Sequence, residues 1–240
     1  MTKDWLTPIL FEFDNNPNTA IVQPKILDHK QKTHFEYAGA AGGFIDKYGY
    51  PYCRGRIFDT LEKDQGQYNN VLDIFWASGA CFFIRKKLFN TLKGFDEHFF
   101  AHMEEIDLCW RAQNTGQSIK YVGASTVYHV GGATLSATNP KKTYLNFRNS
   151  LFTLTKNSAG VLLPKIFTRL VLDGIAGLRF LVQLKFGHVF AILKAHFSFY
   201  YHLSRLLKQR TQPAKKKNYF HTKSIVWSYF VSKKKTFNRL

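Results

Sequence analysis

Residues 151 to 240 of this 240-residue chain hold seventeen basic side chains and one acid, Asp173, whereas residues 1 to 150 hold seventeen basic and fifteen acidic ones. A chain divided in this way is two electrostatic objects, a near-neutral body and a basic tail. With 45% hydrophobic residues the length suffices for one full core, or for a smaller domain with an appendage, and the charge split favours the second. The start, MTKDWLTPIL, shows no apolar run behind a basic cap, so no secretory signal is expected there. Cys53, Cys81 and Cys109 are odd in number, far apart and without zinc-ligand spacing, which fits reduced thiols in a cytosolic compartment.

Within the body, Asp4 to Phe13 reads as a short helix, and a turn at Asn15 to Asn18 leads into a β-type run, Ala20 to Leu27. Residues 36 to 70 are rich in Gly, Tyr and charge without periodicity and read as a long ordered loop, a feature usually tied to function. Ile74 to Arg85 suits a buried strand kinked at Ser78-Gly79-Ala80, where a ligand or backbone comes close. Lys86 to Leu92 continues as a short helix that stops at Gly94.

The acids of the body concentrate in GFDEHFFAHMEEIDLCWR, residues 94 to 111, with Asp96, Glu97, Glu104, Glu105 and Asp107. Glu104 to Asn114 has helical character and ends before Gly116. Acids in a first turn are favoured by the helix dipole, so the block also reads as a well-capped helix with an Asp107–Arg111 pair. Glu104 and Glu105 point about 100° apart on a helix, so one faces a given cleft while the other packs or binds locally. Ser118 to Val122 is strand-like, and in STVYHVGGAT, residues 125 to 134, His129 precedes Gly131-Gly132. A histidine beside a glycine pair at a strand end can lean toward a metal or phosphate, although a lone histidine is more often structural.

In the tail, Lys165, Arg169, Asp173, Ala176, Arg179 and Gln183 form one polar arc at helical spacing among apolar positions, which marks an amphipathic helix. The charges on that arc argue against a membrane-spanning segment. Phe186 to Leu207 is aromatic-rich, and KQRTQPAKKK and SKKK follow. Apolar helix faces beside clustered lysines suit docking on an anionic leaflet, while packing against the body with solvated lysines is the plainer alternative.

Four segments in order, ASGACFFIRKKLF (77–89), GFDEHFFAHMEEIDLCWR (94–111), STVYHVGGAT (125–134) and, more weakly, YLNFRNSLFTL (144–154), resemble family-2 glycosyltransferases of the GT-A type, in particular a bacterial rhamnosyltransferase-like branch. The resemblance implies an α/β fold: a partial, Rossmann-like GT-A catalytic domain with a mixed sheet over residues 1–155, then a basic amphipathic helical tail, 156–240, that associates with membrane. It implies inverting transfer from a nucleotide-sugar donor to a glycan or lipid-linked glycan acceptor in cell-surface polysaccharide synthesis. The family's paired acids fall on Glu104 and Glu105, the second being the base that deprotonates the acceptor hydroxyl. The usual second acid is aspartate, so this chain departs by one methylene. Ser78, Gly79 and Ala80 match a turn near the donor sugar, with Trp76 before it, which reads equally as a core aromatic. Asp96 matches an acceptor-side acid, Asp107 joins the expected substrate-binding set, and His129 matches a ligand of the divalent cation, Mg2+ or Mn2+, on the donor diphosphate.

The family's nucleotide-binding half and its DxD motif would precede Asp4-Trp5-Leu6. The resemblance therefore implies that the principal cation ligands lie outside this chain, which reads as a fragment of a longer reading frame, as one product of a split gene whose partner is a separate donor-binding half, or as a degenerate remnant. It also implies that the chain alone shows no transfer and that its sheet has an exposed edge. The expected location is the cytoplasm, peripheral at the inner face of the cytoplasmic membrane. Two other readings remain: a non-catalytic subunit that binds a glycan or a partner, and a basic nucleic-acid-binding protein, the weaker because no nucleic-acid motif accompanies the charge.

Overall fold

A computed structural model describes residues 1–131, 138–210 and 216–240. Helix α1 (Thr7–Asn15) opens with Pro8 in its first turn, where a missing N–H costs nothing, and turns Ile9 into the core. Strand β1 (Thr19–Asp28) follows and is buried along all but its last residue, as a strand covered on both faces must be. Its buried polar side chains have partners. Gln23 Nε2 donates to the Gly39 carbonyl at 3.1 Å, and Lys25 pairs with Asp64 at 2.8 Å. Pro24 offers the ladder no N–H, and the register slips between Pro24 and Lys25.

Residues 36 to 70, read from sequence as one long loop, contain a small antiparallel meander. Its strands are β2 (Gly43–Ile45), β3 (Pro51–Cys53), β4 (Arg56–Ile57) and β5 (Thr60–Leu61), in that order. Two- and three-residue strands are too short to show alternation, which is why the pattern does not announce them. Two glycines close the unit. Gly55 turns at φ +95°, and Gly43 lies so near Trp76 that a Cβ there would come within 2.1 Å of the indole.

The kinked strand expected over Ile74 to Arg85 is regular only at its end. After β6 (Val71–Asp73), residues 74–77 run buried and irregular, and pairing resumes in β7 (Phe83–Ile84). Helix α2 (Lys86–Thr91), a 3-10 turn (Glu97–Phe99), helix α3 (Glu104–Asn114) and strand β8 (Ser118–His129) follow. The main sheet is ordered β6-β8-β1-β7, with β8 parallel to β1 and the two edge strands antiparallel. The result is a mixed α/β fold. The β1–β8 register carries His129 to the sheet end, opposite Asp28.

The C-terminal helices do not form a separate tail. Helices α4 (Pro140–Asn157), α5 (Leu163–Val182) and α6 (Phe186–Gln209) pack on one another, and α7 (Ile225–Phe230) follows. Ile166, Phe199, Leu206, Tyr219 and Ile225 belong to the same hydrophobic core as β1, the meander and α3. The boundary expected between 155 and 156 thus separates no two cores. It falls inside α4, and Asp46 of the body accepts a hydrogen bond from the Ile225 N–H at 2.9 Å.

Amphipathy in α5 runs opposite to the usual sense. Arg169 and Asp173, on the polar arc, are buried against the body: they pair at 2.8 Å, the Tyr50 hydroxyl donates to Asp173 at 2.6 Å, and Arg169 stacks on the Tyr50 ring. Phe167 and Val182, by contrast, are 68% and 83% exposed. Among the described residues no helix is long and apolar enough to cross a membrane.

Candidate active site

The paired acids begin α3, and the loop that delivers them is strained. Phe100, His102 and Met103 adopt φ of +63°, +67° and +72°, a region that costs non-glycine residues about 1–3 kcal/mol each unless surroundings enforce it. The enforcement comes from α4. The Asn149 amide donates to the carbonyls of Phe99, Ala101 and His102 at 2.7–3.0 Å, and Arg148 Nη2 donates to those of His98 and Phe99. Asp107 anchors the next turn of α3 through Arg111 at 2.8 Å, Asn157 at 2.7 Å and Lys156 at 3.0 Å. Its side chain is 0% exposed. Asp107 therefore lies where no substrate reaches it, and the helix-pair reading replaces the substrate-contact one.

Glu104 and Glu105 behave differently. The Oε2 atom of each is closed off from solvent and has no hydrogen-bond partner among the described residues. One of the pair was expected to pack or bind locally, yet each carboxyl group keeps an unpartnered oxygen, and the Glu104 charge acts on Glu105. Burial first, and then the Glu104 charge, raise the Glu105 carboxyl, only partly offset by backbone N–H groups that include Gly79. Burial raises Glu104 as well. A carboxylate lifted toward neutrality, with a free oxygen, is a competent proton acceptor.

The turn over Ser78, Gly79 and Ala80 meets this pair through the Gly79 backbone. Ser78 is fixed on both sides: its N–H donates to Gln23 Oε1 at 2.8 Å, its hydroxyl donates to the Ala38 carbonyl, and the Ala80 N–H donates to that hydroxyl at 3.1 Å. Gly79, beside Glu105, is exposed, and a Cβ placed on it would meet nothing within 4 Å. The open space lies outside Gly79, with Glu105 beneath it. Trp76 is a core residue, its indole N–H donating to the Phe44 carbonyl at 2.8 Å.

Ala38 also links the turn to His129. The Glu36 carboxylate accepts the Ala38 N–H through Oε2, while its Oε1 lies 3.4 Å from His129 Nδ1. Glu36 is only 2% exposed, and a Cβ on Gly131 would come within 2.5 Å of its Oε1, so backbone crowds this carboxylate. Gly132 to Thr134 of the histidine segment lie outside the described residues. A chain of contacts thus joins Glu105, Gly79, Ser78, Ala38, Glu36 and His129. Mg2+ or Ca2+ takes about six or more ligands, mostly oxygen. His129 and Glu36 supply two donors at most, and the described residues contain no group of three that could hold a metal. The residues present do not make a cation site by themselves.

Asp96 caps the 3-10 turn, accepting from the His98 N–H, and pairs with Lys156 at 2.7 Å. Burial pushes its carboxyl up, but the Lys156 hydrogen bond and charge outweigh that and hold it well below the usual range. Both oxygens are engaged, so Asp96 shapes the turn before the acid pair. Reasoning from sequence missed Glu36, Asn149 and His102. Burial and the Lys142 charge hold the His102 imidazole below its ordinary range, and its Nε2 is buried and unpaired among the described residues. The Ala-Gly run after Glu36 was the one available signal, since clustered small residues allow close backbone approach.

No protein-family model matches the chain. It is 39% identical over 79 residues to N-acetylglucosaminyl-diphospho-decaprenol L-rhamnosyltransferase of Mycobacterium tuberculosis, a stretch that covers 33% of this chain and 26% of that enzyme. It is 32% identical over 69 residues to rhamnosyltransferase WbbL of Escherichia coli, covering 29% and 25%. Over 143 residues, 58% of this chain and 43% of the other, it is 24% identical to the low-salt glycan biosynthesis hexosyltransferase Agl10 of Haloferax volcanii. The chain thus spans about a quarter of the length of the rhamnosyltransferases it matches. A crystal structure of GalNAc-T7 with UDP, GalNAc and Mn2+ overlays on 89% of this chain and 40% of its own at 11% identity and a TM-score of 0.47, too loose a likeness to argue from. By sequence the chain is similar, over part of its length, to these sugar transferases.

Proposed function

We propose that this chain carries the catalytic base for inverting transfer of a sugar from a nucleotide-sugar donor to a glycan or lipid-linked glycan acceptor in cell-surface polysaccharide synthesis. The supporting observation is the pair of carboxyl groups at the start of α3, each with one unpartnered oxygen and one of them beside the exposed Gly79. A sugar hydroxyl is a poor nucleophile at neutral pH. Glu105 takes its proton as the oxygen attacks the anomeric carbon, the bond from that carbon to the diphosphate breaks, and the nucleoside diphosphate leaves with the electron pair. Attack from the face opposite the leaving group inverts the configuration. Glu104 keeps Glu105 basic through like-charge proximity.

Ser78 and the Gly79 backbone hold the donor-side turn, and Glu36 lies beside the His129 ring at 3.4 Å from Nδ1. A divalent cation, Mg2+ or Mn2+, would neutralise the leaving diphosphate when bound, its principal ligands supplied by groups other than these. The bases of residues 151–240 and the outward apolar faces of α5 and α6 support a peripheral position on an anionic membrane surface at the cytoplasmic face.

The test is product analysis. The natively expressed protein is incubated with nucleotide sugars and with free or lipid-linked glycans, and products are read by mass and by anomeric coupling in NMR. A product one sugar heavier, of inverted configuration, supports the reading. Transfer with retained configuration removes the mechanism, and binding without transfer favours a non-catalytic subunit.

A further inference from the structure

One cation of the network behind the acid loop is left with unused donors. Arg205 on α6 reaches Gln209 at 3.5 Å and Asp96 at 3.6 Å through Nη1, but its Nε and Nη2 are closed off from solvent and have no partner among the described residues. Its neighbours are satisfied. Asp107 is taken by Arg111, Lys156 and Asn157, and Asp96 by Lys156 and His98. Arg148 spends its nitrogens on the Asn149 side chain, the Tyr144 hydroxyl and two loop carbonyls.

Four cations, Arg111, Lys156, Arg148 and Arg205, therefore face two carboxylates. His202, one turn before Arg205, packs on Phe152 together with the Arg148 and Arg205 guanidiniums, its ring centroid 6.4 Å from that of His98. A guanidinium with an unused edge, in a local excess of positive charge, suits an oxyanion that accepts two hydrogen bonds. The side chain is 25% exposed, and Gln209, an exposed residue held only by 3.5 Å contacts, can turn aside for an incoming group.

The flanks of the site narrow the ligand. Phe197, Tyr201 and Arg205 are four residues apart on α6 and share one stripe, and the first two are 74% and 85% exposed. On the other side, Arg148 holds the carbonyls of His98 and Phe99, directly before the loop that delivers Glu104 and Glu105. An apolar stripe thus leads along α6 to Arg205, and Arg148, which shares the Phe152 ring with it, braces the segment before the acid pair. We propose that Arg205, flanked by His98 and His202, binds the phosphoryl group of a lipid-linked acceptor whose apolar chain lies along Tyr201 and Phe197. This rests on the transfer reading above and names the group by which the acceptor is held.

Flotation with phosphatidylcholine vesicles, plain or doped with farnesyl diphosphate, tests it on the purified chain. Phosphatidylglycerol vesicles serve as the headgroup arm. Doping is expected to raise binding of the wild type. Arg205→Gln should lower that gain about ten- to a hundredfold, the worth of charge-assisted hydrogen bonds to one arginine. Arg205→Lys should lose most of it too, because the fork is gone while the charge stays, and the exposed-site control Lys208→Gln should keep it. Circular dichroism confirms that each variant is folded. The proposal is overturned if doping adds no binding, if Arg205→Gln keeps the gain, or if Lys208→Gln loses as much. It is overturned as well if Arg205→Gln weakens binding to phosphatidylglycerol as strongly as to farnesyl diphosphate, since the site is then for lipid headgroups. No turnover is needed, so this site stands or falls on binding alone, while the transfer reading stands or falls on the activity of Glu105→Gln.

Discussion

Replacing Glu105 by glutamine should stabilise the fold. The native environment raises the carboxyl from 4.5 to about 7 through burial and the neighbouring Glu104 charge. Between those values the folded chain holds a proton that the unfolded chain has released, so stability falls as pH rises through this window. At about 1.4 kcal/mol per unit, the cost reaches a ceiling of about 3 kcal/mol above pH 7. Water reaches part of the side chain, and about half of that ceiling should be recovered on substitution. A gain of about 1.5 kcal/mol corresponds to a rise in Tm of about 3–6 °C for a chain of this size. The pH dependence is the sharper signature. Calorimetry at pH 5 should show little difference between Glu105→Gln and wild type, and at pH 8 the full gain. A lower Tm for the variant at pH 8, or a difference that does not change with pH, refutes the reasoning.

Three further outcomes follow from the same geometry. Asn149→Ala removes the donor from three loop carbonyls and should cost about 2–4 kcal/mol, read by urea denaturation, because buried acceptors are left unmade. Asp173→Asn leaves Arg169 buried without its counter-charge and should cost about 3–5 kcal/mol, whereas the Arg169→Met, Asp173→Leu double variant should recover much of that loss. Asp96, held well below its ordinary range by Lys156, contributes stability that is complete above the unfolded carboxylate value and is lost as pH falls toward its native one. Acid unfolding of Asp96→Asn should accordingly be shallower than that of wild type below about pH 4.

The regular elements with strong local signals were legible in the sequence. Helix α3 spans Glu104–Asn114 as expected, because its acids suit a helix start and Thr115-Gly116 stops it. Strand β1 and helix α2 also lie where their apolar runs and Gly94 indicated. The meander was not legible, since its pairing depends on tertiary closure around Gly43 and Trp76 rather than on alternation. Helix α5 shows a different limit. Periodicity finds a polar stripe, but which stripe faces inward depends on what the body offers, and here Tyr50 waits for Asp173. At the site, the sequence offered Glu105 and Gly79 in separate motifs, and the folded chain brings them together. Glu36 and Asn149 stayed hidden because each acts alone, one in a loop and one inside a helix, and only the folded chain shows Glu36 beside His129 and Asn149 holding the acid loop.

The central claim is that Glu105 is the base of a sugar transfer. Its most direct test is turnover in membranes of cells that express Glu105→Gln from the native locus, measured as labelled sugar moved from nucleotide to acceptor, with donor and acceptor binding measured beside it. The account predicts a loss of about 10²–10⁴-fold in transfer with binding kept. Transfer within a few fold of wild type by a folded Glu105→Gln protein would contradict it.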